Sequence, residues 1–118
     1  MSTALIYDNP ECSKCRATLA LLRERGIEPT IVEYLKSPPS AAQLTTIADL
    51  LGTDLRGLLR RGDAAYAELD LDNPQLDNNE LLRRVLAQPT LLQRPIVLAN
   101  GKAAIGRPPE AILAILAP

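Results

Sequence analysis

The sequence predicts an α/β domain built on a four-stranded mixed sheet, and three observations carry that expectation. Residues 4–35 read strand, turn, helix, strand, the order of a βαβ unit whose two strands run parallel. Residues 95–105 read as two apolar runs joined by Asn100-Gly101, a dipeptide that favours the two-residue hairpin turn with positive φ at both central positions. The last two strands are therefore antiparallel. Between these blocks lies a stretch punctuated by helix-capping signals.

Each element has its own local reason. Ala4 to Tyr7 is a short apolar run closed by the turn formers Asp8-Asn9-Pro10. After Cys12, the positions Cys15, Thr18, Leu19 and Leu22 recur at helical spacing, and Gly26 supplies a C-terminal stop. Pro29 to Leu35 reads as the second strand. Ser40 with Gln43 makes a capping box ahead of an apolar stripe at Leu44, Ile47, Ala48 and Leu51, which Gly52 ends. Asp54 opens a short segment carrying Leu55, Leu58 and Leu59, and residues 62–74 are polar and read as irregular. Asp77 with Glu80 repeats the capping box before Leu82, Val85 and Leu86, and Pro89 stops that helix. Pro95–Ala99 and Lys102–Ile105 form the hairpin. Pro108 and Pro109 suit a helix start, with Ile112, Ile115 and Leu116 as its buried stripe. This is the order of a thioredoxin-like fold with a helical insertion between the βαβ unit and the C-terminal hairpin.

The 118 residues suit one small domain spanning 1–118, large enough to bury about two-thirds of its unfolded surface. Apolar residues make up 47% and aromatics 3%, so the core is aliphatic and base stacking on single-stranded nucleic acid is disfavoured. A net charge of −1 gives no global attraction to polyanions, so an anion site must be local. No membrane or nucleic-acid partner is expected. Met1-Ser2-Thr3-Ala4 lacks the basic, then apolar, pattern of a targeting segment, and the expected compartment is cytoplasmic. There is no histidine, which removes imidazole as a base and leaves a structural zinc site short of ligands. No bound metal or cofactor is expected.

Cys12 and Cys15 are the only cysteines, set where the first strand gives way to the first helix. In a cytosolic chain a lone Cys-x-x-Cys points to redox or catalytic chemistry more than to a structural staple. A free thiol is only about 3% ionised near neutrality, so a nucleophilic cysteine needs its pKa lowered. Helix N–H groups at Cys12 supply partial positive charge, and Ser13, Lys14 and Arg16 surround it in sequence as supporting residues. Cys15 begins the core-facing stripe and is either a resolving thiol or a small buried apolar residue. Three arginines occupy joints between elements: Arg60, Arg94 just before a strand and Arg107 just after one. If the first hairpin strand runs antiparallel to residues 4–7, Cys12, Arg94 and Arg107 meet at one sheet edge. Guanidinium groups beside a helix N-terminus make an oxyanion site and favour a thiolate. Pro95 opens its strand without an N–H to give, which leaves backbone free beside the thiol. In thioredoxin-like folds the bond before this proline is usually cis.

These residues resemble the glutaredoxin-coupled arsenate reductases along essentially the whole chain. The resemblance rests on Tyr7 through Asn9-Pro10-x-Cys12, Glu28-Pro29-Thr30, Tyr34-Leu35 with Pro38-Pro39, Leu58-Leu59-Arg60, Arg94-Pro95-Ile96-Val97 and Gly106-Arg107-Pro108. It implies that Cys12 attacks arsenate, that Arg60, Arg94 and Arg107 bind the oxyanion and stabilise the thiol adduct, and that glutathione and glutaredoxin complete a two-electron reduction to arsenite. Relatives active on arsenate often carry histidine four residues before the nucleophile; Asp8 stands here, and its negative charge would raise the thiol's pKa. Cys15 is also atypical of these enzymes. It permits an internal route ending in a Cys12–Cys15 disulfide that glutaredoxin or thioredoxin would reduce. The phosphatase-like arsenate reductases need Cys-x₅-Arg, and Thr18 occupies the arginine's place. Two other readings remain. Spx-type redox regulators share the fold, the Cys-x-x-Cys and the Arg-Pro, and bind RNA polymerase, but they do not need Arg107. A general thiol-disulfide oxidoreductase would need no arginine triad.

Overall fold

The computed structural model describes residues 4–116; Met1, Ser2 and Thr3, which entered the reading of the N-terminus, lie outside the described residues, as do Ala117 and Pro118. Residues 4–37 with 94–116 form one compact unit, and Pro38–Gln93 form a second.

The first unit holds the sheet, in the order β2-β1-β3-β4. Strand β1 (Ala4–Asp8) pairs in parallel with β2 (Thr30–Glu33) and antiparallel with β3 (Ile96–Ala99), which pairs antiparallel with β4 (Lys102–Ile105). The expected topology is therefore present. Asn100 and Gly101 take φ of 54° and 72°, as the hairpin turn requires. Helix α1 (Ser13–Glu24) links β1 to β2 and buries Cys15, Thr18 and Leu22. Ile6, Leu22, Val97, Ile112 and Ile115 share one aliphatic core on the helix-covered face of the sheet. Each buried side chain of this size contributes about 1.5–3 kcal/mol.

Residues Pro109–Ile115 bury Ile112 and Ile115 as expected, but they wind as a 3₁₀ helix. Two prolines at its start remove N–H donors, and the Asn100 side-chain amide donates to the Ile115 carbonyl at 2.9 Å, closing its last turn. Strand β2 is shorter than its apolar run, because residues 34–37 turn away after Glu33.

The second unit is helical. Helix α2 (Ala41–Leu51) carries the full Ser40–Gln43 capping box and ends at Gly52 in the left-handed conformation. A 3₁₀ turn at Leu55–Leu58 is capped by Asp54. The stretch read as irregular contains a short helix, α3 (Ala64–Glu68), started by Asp63 and held by the buried Tyr66, whose hydroxyl donates to Asp72 at 2.7 Å. Polar composition hid it, since one buried ring and one cap carry the turn. Helix α4 (Asn78–Leu86) is capped by Asp77, but the Glu80 carboxylate accepts from Arg83 and Arg84. Its buried positions are Leu81 and Val85, not Leu82 and Leu86. Adjacent leucines let either face satisfy helical spacing, so the pattern alone did not choose between them. No helix among the described residues is long and apolar enough to cross a membrane.

Candidate active site

The sheet edge where β1 ends brings the chemistry together. Register pairs Tyr7 with Ile96 and Ile96 with Ile105, so Asp8-Asn9, Arg94-Pro95 and Gly106-Arg107 emerge side by side. Both bonds, Arg94-Pro95 and Arg107-Pro108, are cis. Gly106 N–H donates to the Pro95 carbonyl at 2.9 Å. A Cβ on Gly106 would sit 2.5 Å from Thr18 Oγ1 and 2.8 Å from Pro95 Cγ. Only glycine permits that approach, and it is what brings Arg107 to the start of α1.

Cys12 is the residue before α1, half-buried and with extended backbone, and Cys15 is fully buried one turn on. Both thiols are free. Arg107 Nη2 approaches Cys12 Sγ at 3.9 Å, and Arg107 Nε donates to the Arg94 carbonyl at 2.8 Å. Partial burial of Cys12 works against its charge. It is outweighed by the Cys15 amide, the Arg94 guanidinium, the Cys15 thiol and the Lys14 amide, and the pKa is lowered to about 7. The sulfur makes no capping hydrogen bond of ordinary length, so the helix terminus acts on it mainly as a field. Burial raises the Cys15 thiol to about 12, with the charge of Cys12 and of Asp8 adding to the rise and the Asn9 amide opposing it. That amide lies 3.4 Å from Cys15 Sγ. The two cysteines are thus opposites, one a ready thiolate and one a neutral thiol.

The supporting residues divide. Lys14 contributes its backbone amide to Cys12, whereas Arg16 donates to the Pro10 carbonyl at 2.9 Å and braces the loop before the nucleophile. Ser13 opens α1 on its exposed side. Pro95 is buried, packed where Gly106 passes. Arg60 belongs to the helical unit, where its amide donates to the Leu91 carbonyl at 2.7 Å and its guanidinium stands 3.8 Å from Asp63.

Two residues gain a meaning that the sequence did not give them. Tyr34 is 1% exposed, and burial raises its pKa against the downward pull of the Arg94 guanidinium it faces. An aromatic at the end of an edge strand reads as core filler, and no spacing signal ties it to an arginine 60 positions away. Asp8 is 5% exposed, with Oδ1 buried and without a hydrogen-bond partner. Its charge is felt at Cys15, and the Cys12 thiol is depressed with Asp8 in place.

A lowered-pKa thiol at a helix N-terminus, flanked by two guanidinium groups on a thioredoxin-like sheet, defines a thiol chemistry that works on anions. The family model described as "ArsC family" matches residues 7–115. A Neisseria meningitidis protein named "Arsenate reductase" is 55% identical over 112 residues, 94% of this chain and 96% of the relative. "Uncharacterized protein YfgD" of Escherichia coli is 47% identical over 94% of both chains. The solved "Arsenate reductase from Vibrio cholerae" superposes with a TM-score of 0.92 at 43% identity, covering 97% of this chain and 98% of that one. The chain belongs to the ArsC family.

Proposed function

We propose that this protein is a cytoplasmic arsenate reductase that forms a covalent adduct on Cys12. The observation that carries the reading is the thiol itself: Cys12 Sγ, depressed to about 7, with Arg107 Nη2 at 3.9 Å. Relatives named arsenate reductase support the substrate class.

In this reading the Cys12 thiolate forms a bond to arsenic, and one arsenate oxygen leaves as water after protonation. Arsenic is still at oxidation state +5. A second thiol then attacks Cys12 Sγ, the sulfur–arsenic bonding pair stays on arsenic, and arsenite departs at +3 while the two sulfurs form a disulfide. Arg94 and Arg107 hold the oxyanion and the charge that develops on it, with Arg60 as a third ligand on the strength of the family resemblance. The second thiol is glutathione, with glutaredoxin restoring Cys12, or it is Cys15, with glutaredoxin or thioredoxin reducing the resulting disulfide.

The test is arsenite production by the purified protein with glutathione and glutaredoxin. Cys12→Ser is expected to abolish turnover. An active reductase of low-molecular-weight disulfides that leaves arsenate untouched would overturn the arsenate reading in favour of a general oxidoreductase. Absence of both activities would favour the Spx-type regulator, to be sought as binding to RNA polymerase.

A further inference from the structure

Asp8 is the one buried charged residue in the described core, and the reaction above gives it no task. Strand alternation puts Asp8 on the same face as Ala4 and Ile6, the face that packs against Leu22 of α1. Cys15 begins the buried stripe of that same helix. The peptide unit joining Asp8 to Asn9 donates its N–H to Cys15 Sγ at 3.4 Å, so the carboxyl and the thiol are anchored to one another through a single amide. Asp8 also lines an open groove of about 480 Å³ with Pro10, Glu11, Glu33 and Lys36, which gives a proton a way out to solvent.

We propose that Asp8 is the proton acceptor for Cys15 when Cys15 attacks sulfur at Cys12. The proposal rests on the internal route of the preceding section. A buried thiol cannot act as nucleophile until its proton leaves, and Asp8 offers a buried carboxylate oxygen, Oδ1, without a hydrogen-bond partner. Once Cys12 is bonded to a leaving group it is no longer a thiolate, and the charge that holds the Cys15 proton most strongly, after burial itself, is gone. The Cys15 S–H bond then breaks with its proton passing to the Asp8 carboxylate. The freed sulfur pair bonds to Cys12 Sγ, and the Cys12-to-leaving-group bond breaks with its pair on the departing atom. Cys15 and Cys12 end as a disulfide, and the leaving group carries away two electrons. Reduction of that disulfide by an external dithiol returns the proton from Asp8 to Cys15.

The groups around Asp8 fit an acceptor. Glu33 faces it across the β1–β2 ladder, and burial together with Glu33 raises its pKa above the ordinary carboxyl range, which strengthens it as a base. Cys15 faces it from α1, and Glu11 from the loop before α1 and Lys36 from beyond β2 share its groove. Lys36 is held by Glu33 at 3.5 Å, on the exposed side of the groove.

The experiment is the two-step release of thionitrobenzoate from 5,5′-dithiobis(2-nitrobenzoate). The first equivalent reports attack by Cys12, and the second reports closure by Cys15. In the unmodified protein the second phase should rise with pH through the titration of Asp8 and then level. In Asp8→Asn it should slow about 100-fold near neutrality, the low side of what a positioned base supplies, and rise only with the thiol's own ionisation. The first phase should be no slower, which also shows the variant folded, and Asp8→Glu should recover part of the second. A second phase of unchanged rate and pH profile in Asp8→Asn would overturn the role of Asp8 while leaving Cys15 as the resolving thiol. A single equivalent from the unmodified protein, with Cys15→Ser behaving identically, would overturn the internal route and this proposal with it.

Discussion

Arg94 and Arg107 act on Cys12 by different means, and the difference is measurable. Arg94 is itself half-buried, keeps its charge, and joins Tyr34 to the sulfur electrostatically, whereas Arg107 is exposed and reaches the sulfur from the end of β4. Alkylation of Cys12 by iodoacetamide should have its midpoint near pH 7, against about 8.5 for an ordinary cysteine. Because the folded pKa is lowered, the thiolate is present above the midpoint and is lost as the pH falls through it. Arg94→Ala should move the midpoint upward, and a rise of about one unit from there lowers the thiolate fraction at neutrality from about one-half to about one-tenth. An unmoved midpoint would remove Arg94 from the causes and leave the depression to the helix amides, the Cys15 thiol and Arg107. At this scale the meeting of Cys12 with Arg94 and Arg107 was legible, because each sits at a joint that the local sequence marks. Tyr34 and Asp8 were not. Their roles depend on which face of a strand is buried, and short strands with apolar residues at successive positions leave that choice to the rest of the fold.

Among the elements, the turn from β4 into Arg107 sets the spacing of the site. Gly106 passes between Thr18 and Pro95 with no room for a Cβ. Gly106→Ala should cost about 1–3 kcal/mol in stability, as overpacking does, and should raise KM for the oxyanion by displacing Arg107. Thr18→Ala in the same chain removes the nearest clashing atom and should restore part of both. A variant with unchanged melting temperature and KM would show that the joint relaxes freely. The elements themselves were read well where a capping or turn signal was explicit, as at Ser40, Asp54 and Asn100-Gly101. They were read poorly where a single side chain organises the turn. Tyr66 makes α3 out of a polar stretch, and the Asn100 amide closes the final 3₁₀ turn from a distant hairpin.

For the molecule as a whole, a net charge of −1 makes the cationic site local rather than global. Sulfate, a tetrahedral stand-in for the proposed substrate, should therefore protect Cys12 from alkylation without general anion binding. Protection should weaken as sodium chloride approaches about 1 M, where the Debye length is about 3 Å. It should be lost in Arg107→Ala. Protection that persists in that variant would place the anion elsewhere. The sheet order was legible at this scale because a βαβ unit and an Asn-Gly hairpin leave few ways to share one sheet. The helical stretch between the βαβ unit and the hairpin was legible as an insertion, but not that it packs as a compact unit of its own. Caps and stripes mark where helices begin and which side is apolar, but they are silent on which elements share a core.

The bond from Arg107 Nε to the Arg94 carbonyl makes one arginine the mount for the other. A guanidinium can grip a carbonyl with one nitrogen while another faces the sulfur, because its donors are fixed in a plane. A lysine in the same place would keep the charge and lose the bracket, since a single ammonium on a flexible stem must choose between the two. The site is therefore defined by rigidity as much as by sign, and Arg107→Lys should behave as a loosened hinge in the substrate pocket, with weaker anion binding despite an unaltered count of charges.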